Sequence, residues 1–101
     1  MKWISNAKVG YEHTQEELAK GSIFYVNIEN LNISIHKYAG CGNDLFLSCD
    51  KLRITNNNLG TDNFDIAVEK SKEIIRMEFN ELQKQVAIFL EDKEGNKFSK
   101  Y

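Results

Sequence analysis

Apolar residues recur every three or four positions from Phe64 to about residue 91, which is the spacing of one long amphipathic helix. Thr61 or Asp62 is expected to cap its first turn, and Asp65 places negative charge at the positive end of the helix dipole. The apolar stripe consists of Phe64, Ala67, Val68, Ile74, Ile75, Phe79, Leu82, Val86, Phe89 and Leu90. A stripe this wide needs a sheet beneath it, which the rest of the chain must supply.

The end of this helix can be interpreted in two ways. A helix of 28 residues would be about 42 Å long, whereas a domain of this size has a radius of gyration near 13 Å. A continuous helix should therefore overhang and dock on a partner. In the alternative it stops near Gln83, and residues 86–90 form a strand that turns at residues 95–96. The stripe keeps its phase through Phe89, which favours the continuous helix.

The segment before the first strand is predicted to be an arm followed by a short helix. Residues 3–4 should dock on the core, as an edge strand of the sheet. Thr14 and Glu17 have the spacing of a capping box, and Gly21 is a natural helix stop, so a helix is expected over residues 15–20. A helix this short must pack on something to be stable.

Alternating apolar and polar residues predict three strands in the middle of the chain. They span residues 23–29, 31–38 and 44–50, and a polar loop at residues 56–60 leads to the long helix. Only Glu29 and Asn30 separate the first two strands, and asparagine tolerates the positive φ of a tight turn, so these strands should pair antiparallel. The expected fold is α+β, a three-stranded antiparallel meander with a short N-terminal helix and one long C-terminal helix packed on one face.

The second face of this predicted meander is unusually aromatic for a surface in contact with water. It would carry Tyr25, His36, Tyr38, Phe46 and Ser48. We expect this face to be covered by the N-terminal arm or to bind a partner.

Composition limits the function classes. The chain has 101 residues, enough for one domain, and a formal net charge of −2, which gives no basic footprint for nucleic acid. No apolar run is long enough for a signal peptide or a membrane span, so a cytoplasmic protein is expected. Proline is absent, and asparagine, lysine and isoleucine are abundant, as in proteins of low-GC bacteria and their phages.

Two groups of residues could carry ligand chemistry. Gly40, Cys41 and Gly42 resemble the start of a dinucleotide fingerprint, but that motif opens a helix and here a strand is predicted next. His13, His36, Cys41 and Cys49 could form a zinc site, although the usual short ligand spacings are absent and Cys49 is predicted to face the core. Neither cofactor nor metal is expected, and Cys49 is interpreted as a buried free cysteine.

Catalysis and RNA binding are the remaining alternatives. No nucleophile or phosphate-loop motif occurs, so a small metal-dependent enzyme would have to use His36, Asp44 and Asp50. The predicted order α-β-β-β-α is also that of double-stranded-RNA-binding domains. Such a module needs lysines where its last helix begins, and this chain has Asp62 and Asp65 there. The sequence therefore favours a protein that is not an enzyme and does not bind nucleic acid.

One stretch of the chain resembles the three-strand-plus-helix module of HicB-type antitoxins and small phage-encoded proteins of unknown function. The matching residues are Leu47, Ser48, Cys49, Leu52, Thr61, Phe64, Ala67 and Val68. The resemblance implies a non-catalytic protein that binds and blocks another protein.

The expected function is inhibition or regulation of a partner protein by surface occupancy. The partner would be a toxin or a bacterial defence nuclease, as for antitoxins and anti-CRISPR proteins of phages or mobile elements. Ile66, Met77 and Ile88 form a second line of apolar residues that could also mark a homodimer seam along the helix. The predicted contact residues are Tyr25, His36, Tyr38 and Phe46 on the sheet, with Lys84 and Ile88 near the end of the helix.

Overall fold

A five-stranded antiparallel sheet packs against one long C-terminal helix in the computed structural model, which describes residues 1–8, 10 and 14–99. The elements in chain order are β1 (Ile4–Ser5), α1 (Gln15–Leu18), β2 (Ile23–Ile28), β3 (Leu31–Lys37), β4 (Leu45–Cys49), a 3₁₀ turn (Asp50–Leu52), β5 (Ile54–Asn58) and α2 (Phe64–Leu90). The predicted α+β class is confirmed. Strands adjacent in the chain are adjacent in the sheet, in the order β1-β2-β3-β4-β5.

The number of strands corrects the three-stranded prediction. The segment predicted as a loop at residues 56–60 instead contributes to β5, which pairs Asn58 with Phe46 and Asn57 with Leu47. Its sequence has a single apolar residue, Ile54, so it shows no alternation. Polar side chains suit an edge strand, which must not attract further strands. Strand β5 is therefore held by backbone hydrogen bonds to β4, and these bonds need no alternation of side chains.

The hairpin between β2 and β3 is confirmed, with Ile28 opposite Leu31 across the turn. The residue with positive φ is Glu29, at 54°, and not the asparagine predicted from the sequence.

The N-terminal arm docks as predicted, because β1 is the edge strand beside β2. The Asn6 side-chain oxygen accepts the backbone N–H groups of Ser22 at 2.8 Å and Ile23 at 2.9 Å. Gly21 is required where the arm crosses it, because a Cβ there would collide with the Ser5 hydroxyl. These contacts fix a strand that is only two residues long.

The first helix, α1, is shorter than predicted but begins as expected. The Thr14 hydroxyl accepts the Glu17 N–H at 3.0 Å, which is the predicted cap. The helix ends at Leu18 instead of extending over residues 15–20. Gly21 N–H donates to the Leu18 carbonyl at 3.3 Å, so the chain turns into β2 directly after the helix.

The long helix α2 is continuous, which excludes the predicted alternative of a strand at residues 86–90. Its cap is Asn63, whose side-chain oxygen accepts the Ile66 N–H at 3.0 Å, so the predicted caps Thr61 and Asp62 are wrong. Thr61 instead accepts the Asn63 N–H at 3.1 Å and positions the cap. Asp65 lies in the first turn, as expected from the helix dipole.

The hydrophobic core lies between the sheet and the first half of α2. Its buried residues are Phe24, Ile35, Leu45, Leu47, Cys49, Ile54, Leu59 and Ala67. At the helix entry, the Phe64 ring lies 4.6 Å from that of Phe24 and 5.4 Å from that of Trp3, measured between centroids. The second half of α2 extends past the sheet, and the molecule measures 64 × 29 × 21 Å with a radius of gyration of 18.4 Å. The predicted overhang is confirmed.

Candidate functional site

The face of the sheet turned away from α2 is here called the outer face. It includes Ile4, Ile23, Tyr25, Ser34, His36, Phe46, Ser48 and Asn58, together with Tyr38 just after β3, and it continues to the paired Asn27 and Asn32. Paired strands align them in two rows that cross the sheet. One row runs Ile4, Tyr25, Ser34, Ser48, and the other Ile23, His36, Phe46, Asn58.

Three rings form the centre of the outer face. The Phe46 ring lies 5.6 Å from that of Tyr38 and 6.3 Å from that of His36, between centroids. Phe46 is only 7% exposed, whereas Tyr38 is 47% and Tyr25 is 41% exposed. Of the four predicted sheet contacts, Tyr25, Tyr38 and the half-buried His36 therefore present surface, whereas Phe46 is buried and its ring packs against those of Tyr38 and His36.

A hydrogen-bonded network holds His36 in place. One ring nitrogen, Nδ1, lies 3.0 Å from the Lys37 carbonyl, which can only accept, so this nitrogen carries the proton. The other, Nε2, then accepts from the Ser48 hydroxyl at 2.8 Å in the neutral ring. The Asn56 N–H donates to the same hydroxyl oxygen at 3.1 Å. The network thus ties β3, β4 and β5 together on the outer face.

The Ser48 and His36 side chains have the atoms of a nucleophile and its base. In an acyl-transfer site the serine oxygen attacks the substrate through a free lone pair. Here the Asn56 N–H occupies one lone pair of that oxygen, and His36 Nδ1 meets a backbone carbonyl instead of a carboxylate. The arrangement is suited to fixing a surface in one conformation.

Charge is nearly absent from the sheet. Lys37 is the only Asp, Glu, Lys or Arg residue in the five strands, and it pairs with Leu45 at the end of β3. The outer face therefore offers few positive charges for the counterion release that dominates nucleic-acid affinity. Exposed tyrosines with few charges are typical of the centre of protein interfaces.

The residues of the predicted zinc site are not brought together. Cys49 is buried on the face of β4 that packs against α2, and Cys41 is exposed in the loop before that strand. His36 lies on the outer face, and His13 lies outside the described residues. Among the residues that the structure describes, no three His, Cys, Asp or Glu side chains could share a metal ion.

The predicted catalytic and nucleotide candidates are also dispersed. Asp44 and Asp50 flank β4 at its two ends, about 20 Å apart along the strand. His36 pairs with Phe46, near the Asp44 end of that strand, so Asp50 is too far away for the three residues to form one site. Gly40 and Gly42 adopt positive φ values of 82° and 72° in a loop that joins two strands, not a strand and a helix.

Lys84 and Ile88 lie on a separate surface, the overhanging part of α2. Ile88 is 74% exposed, and the Lys84 ammonium is 4.0 Å from the Glu81 carboxylate. This part of α2 also exposes apolar residues that were predicted to lie on the core-facing stripe. They are Phe79, Leu82, Val86, Phe89 and Leu90. The length of the predicted helix was the signal that these residues extend past the sheet.

The chain matches no protein-family model, no curated protein and no solved structure. The resemblance to HicB-type antitoxins stays a prediction that rests on the residues named above. In the part of the chain that the structure describes, no helix combines the length and hydrophobicity of a membrane span.

Proposed function

We propose that this chain is a non-catalytic protein that binds another protein through its outer face and inhibits or regulates it. One observation carries the proposal. Tyr25 and Tyr38 are exposed on a sheet face whose strands carry a single charged residue, Lys37, at their margin. Tyrosine is enriched among the residues that dominate binding energy, and lysine and glutamate are depleted at interface centres.

The outer face is also preorganised. The backbone of Tyr25 is held within β2, with a paired strand on each side, and the Tyr38 ring rests on the buried Phe46 ring. His36 is fixed by hydrogen bonds to the Lys37 carbonyl and to Ser48. Side chains that are already ordered lose little conformational entropy when a partner binds.

A toxin or a bacterial defence nuclease is the partner class that we favour. Proteins that act on nucleic acids carry basic surfaces to meet phosphates. The formal net charge of −2 on this chain gives mild attraction to such a surface. Blocking the partner by occupying its surface needs no catalytic residue, which suits an antitoxin-like or anti-CRISPR-like protein from a phage or mobile element.

The test compares two outer-face variants, Tyr25→Ala and Tyr38→Ala, with Phe98→Ala as control. Phe98 is fully exposed beyond α2, so the control removes an aromatic ring away from the outer face. Titration calorimetry against the protein encoded by the adjacent gene measures binding. Each tyrosine variant should bind at least about tenfold more weakly than the unaltered chain, and the control should bind as tightly as the unaltered chain. Circular dichroism should show all three variants folded.

Two results would contradict the proposal. One is equal affinity of the three variants for the partner. The other is tight binding to duplex RNA or DNA that weakens steeply with salt, because that behaviour requires phosphate contacts. Phe46→Ala is unsuitable for this test, since Phe46 is 7% exposed and its loss should destabilise the sheet itself.

A further inference from the structure

The overhanging part of α2, residues 76–90, carries an apolar seam that nothing in the described chain covers. The seam consists of Phe79, Leu82, Val86 and Phe89, spaced by three, four and three residues. These are the a and d positions of a coiled coil. Their exposed fractions are 49%, 43%, 47% and 81%. Four bulky side chains in a line on one helix indicate a surface that packs against another helix.

We infer that the seam is covered by the seam of a second copy of this chain, and that the two helices pair antiparallel. This pairing is independent of the outer face, which lies on the opposite side of the sheet. Lys84 and Ile88 point away from the seam at 100° per residue, so they stay exposed in the pair.

The charged residues near the seam allow a second copy of the chain to pack there. From Leu82 to Leu90 the only charged residue is Lys84, which lies on the side of the helix opposite the seam. The preceding turns carry Arg76, Glu78 and Glu81, so residues 76–90 hold two basic and two acidic side chains. A partner with a strong charge of either sign would gain little here, whereas an identical segment meets no net repulsion.

The position of the sheet determines the direction of pairing. Ala67 and Val68 pack on the core from the same side of α2 that carries the seam further along. In a parallel pair the second helix would continue along this side and run into the sheet. In an antiparallel pair the two overhangs of about 22 Å overlap and each sheet lies beyond the end of the other helix.

The antiparallel register is self-complementary. Placing Phe79 opposite Phe89 of the second copy also places Leu82 opposite Val86, so each a position meets a d position. Covering the exposed parts of these side chains and the adjacent Leu90 buries roughly 500 Å² on each copy, or about 1,000 Å² in the pair. Specific interfaces begin at about that size, so we expect a reversible dimer.

Sedimentation equilibrium of the full chain at increasing concentration tests the pairing. The unaltered chain should form a dimer, and Phe89→Lys should raise the dimer dissociation constant at least about tenfold, because each dimer loses two buried rings and gains two charges. Ile88→Lys is the matched control. It introduces the same charge one residue away, at a position that is 74% exposed and off the seam, and should dimerise normally.

A monomer at every concentration up to about 1 mM, where an association this weak would still be detectable, would overturn the inference. Equal dissociation by Phe89→Lys and Ile88→Lys would overturn it as well, since the seam would then not be the contact. Circular dichroism of both variants at low concentration should show the same helix content, which separates loss of pairing from loss of folding.

The direction of pairing is tested by measuring the distance between spin labels attached at Glu91→Cys in the two copies. The label is placed in a Cys41→Ser background, because Cys41 is the exposed native thiol and Cys49 is buried. Antiparallel pairing places the two labels about 20 Å apart along the helix axis. Parallel pairing would bring them to about 10 Å, the spacing of packed helices. The shorter distance would refute the antiparallel arrangement.

Discussion

The two halves of α2 carry the same amphipathic pattern but have different surroundings. Residues 64–75 lie on the sheet, where Ala67 is fully buried and Ser71 is 3% exposed. Residues 76–90 extend past the sheet, and their stripe is largely exposed. The buried half has small residues at the closest approach to the sheet, whereas the exposed half has bulky ones such as Phe79 and Phe89. The pattern thus identifies the face of a helix that will be buried but not what buries it.

Anchoring differs between the halves as well. The first half is capped by Asn63, and the Lys70 ammonium donates to the Leu59 carbonyl at 3.0 Å. Residues 79–90 have one ion pair, Lys84 with Glu81 at 4.0 Å. Exposed pairs of this kind contribute little to stability. The second half should therefore be the least stable part of the helix in the monomer.

The same charge placed in each half of α2 should have very different effects on stability. Ala67→Asp buries an unpaired carboxylate in the core and should lower the free energy of unfolding by more than about 4 kcal/mol, enough to unfold many domains. Ala87→Asp lies in the overhang, where water can solvate the carboxylate. This variant should change the free energy of unfolding by less than about 1 kcal/mol. Urea denaturation at low protein concentration measures both changes in the free energy of unfolding. Similar losses would mean that the halves are equally buried.

Each half of α2 also contains a phenylalanine that can be truncated to alanine. Phe64→Ala removes a ring packed between Trp3 and Phe24 and should lower the free energy of unfolding by about 3 kcal/mol. Phe89→Ala removes a ring that is 81% exposed and should change it by less than about 0.5 kcal/mol in dilute solution. Chemical denaturation of both variants at micromolar concentration is the measurement. A large loss from Phe89→Ala alone would contradict the assignment of the overhang.

The smallest expected effect is a gain of stability in the first half. The Ser71 hydroxyl is buried and makes no hydrogen bond among the described residues. Ser71→Ala removes this unpaired group and improves helix propensity, so the free energy of unfolding should rise by about 1 kcal/mol. Thermal unfolding should show a higher midpoint. A lower midpoint would indicate that the hydroxyl has a partner in solution.

The elements with a clear period could be predicted from the sequence. The 3.6-residue period of α2 and the alternation in β2, β3 and β4 identified all four, since one face of each element is buried. The edge strand β5 was missed because its residues after Ile54 are polar and its pairing is made by the backbone. The helix cap was misplaced for a related reason: Thr61, Asp62 and Asn63 can all cap, and the geometry of the preceding loop selects one.

The candidate site was predictable to the same extent. Alternation places Tyr25, His36 and Phe46 on one face, and the structure agrees. The burial of Phe46 was not predictable, because it depends on the register of β3 and β4, which brings the His36 and Tyr38 rings against that of Phe46. The link from Ser48 to Asn56 depends on the unpredicted β5. Sequence periodicity thus gives the face of a side chain, and cross-strand neighbours decide how much of it is exposed.

Residue-resolved hydrogen exchange of α2 at low and high protein concentration tests the difference between its halves most directly. We expect the amides of residues 68–75 to be strongly protected at both concentrations, because opening them requires unfolding of the core. The amides of residues 79–90 should exchange quickly in dilute solution and become protected as the concentration rises, because the second copy then covers their seam. Equal protection of both halves that does not change with concentration would contradict the account.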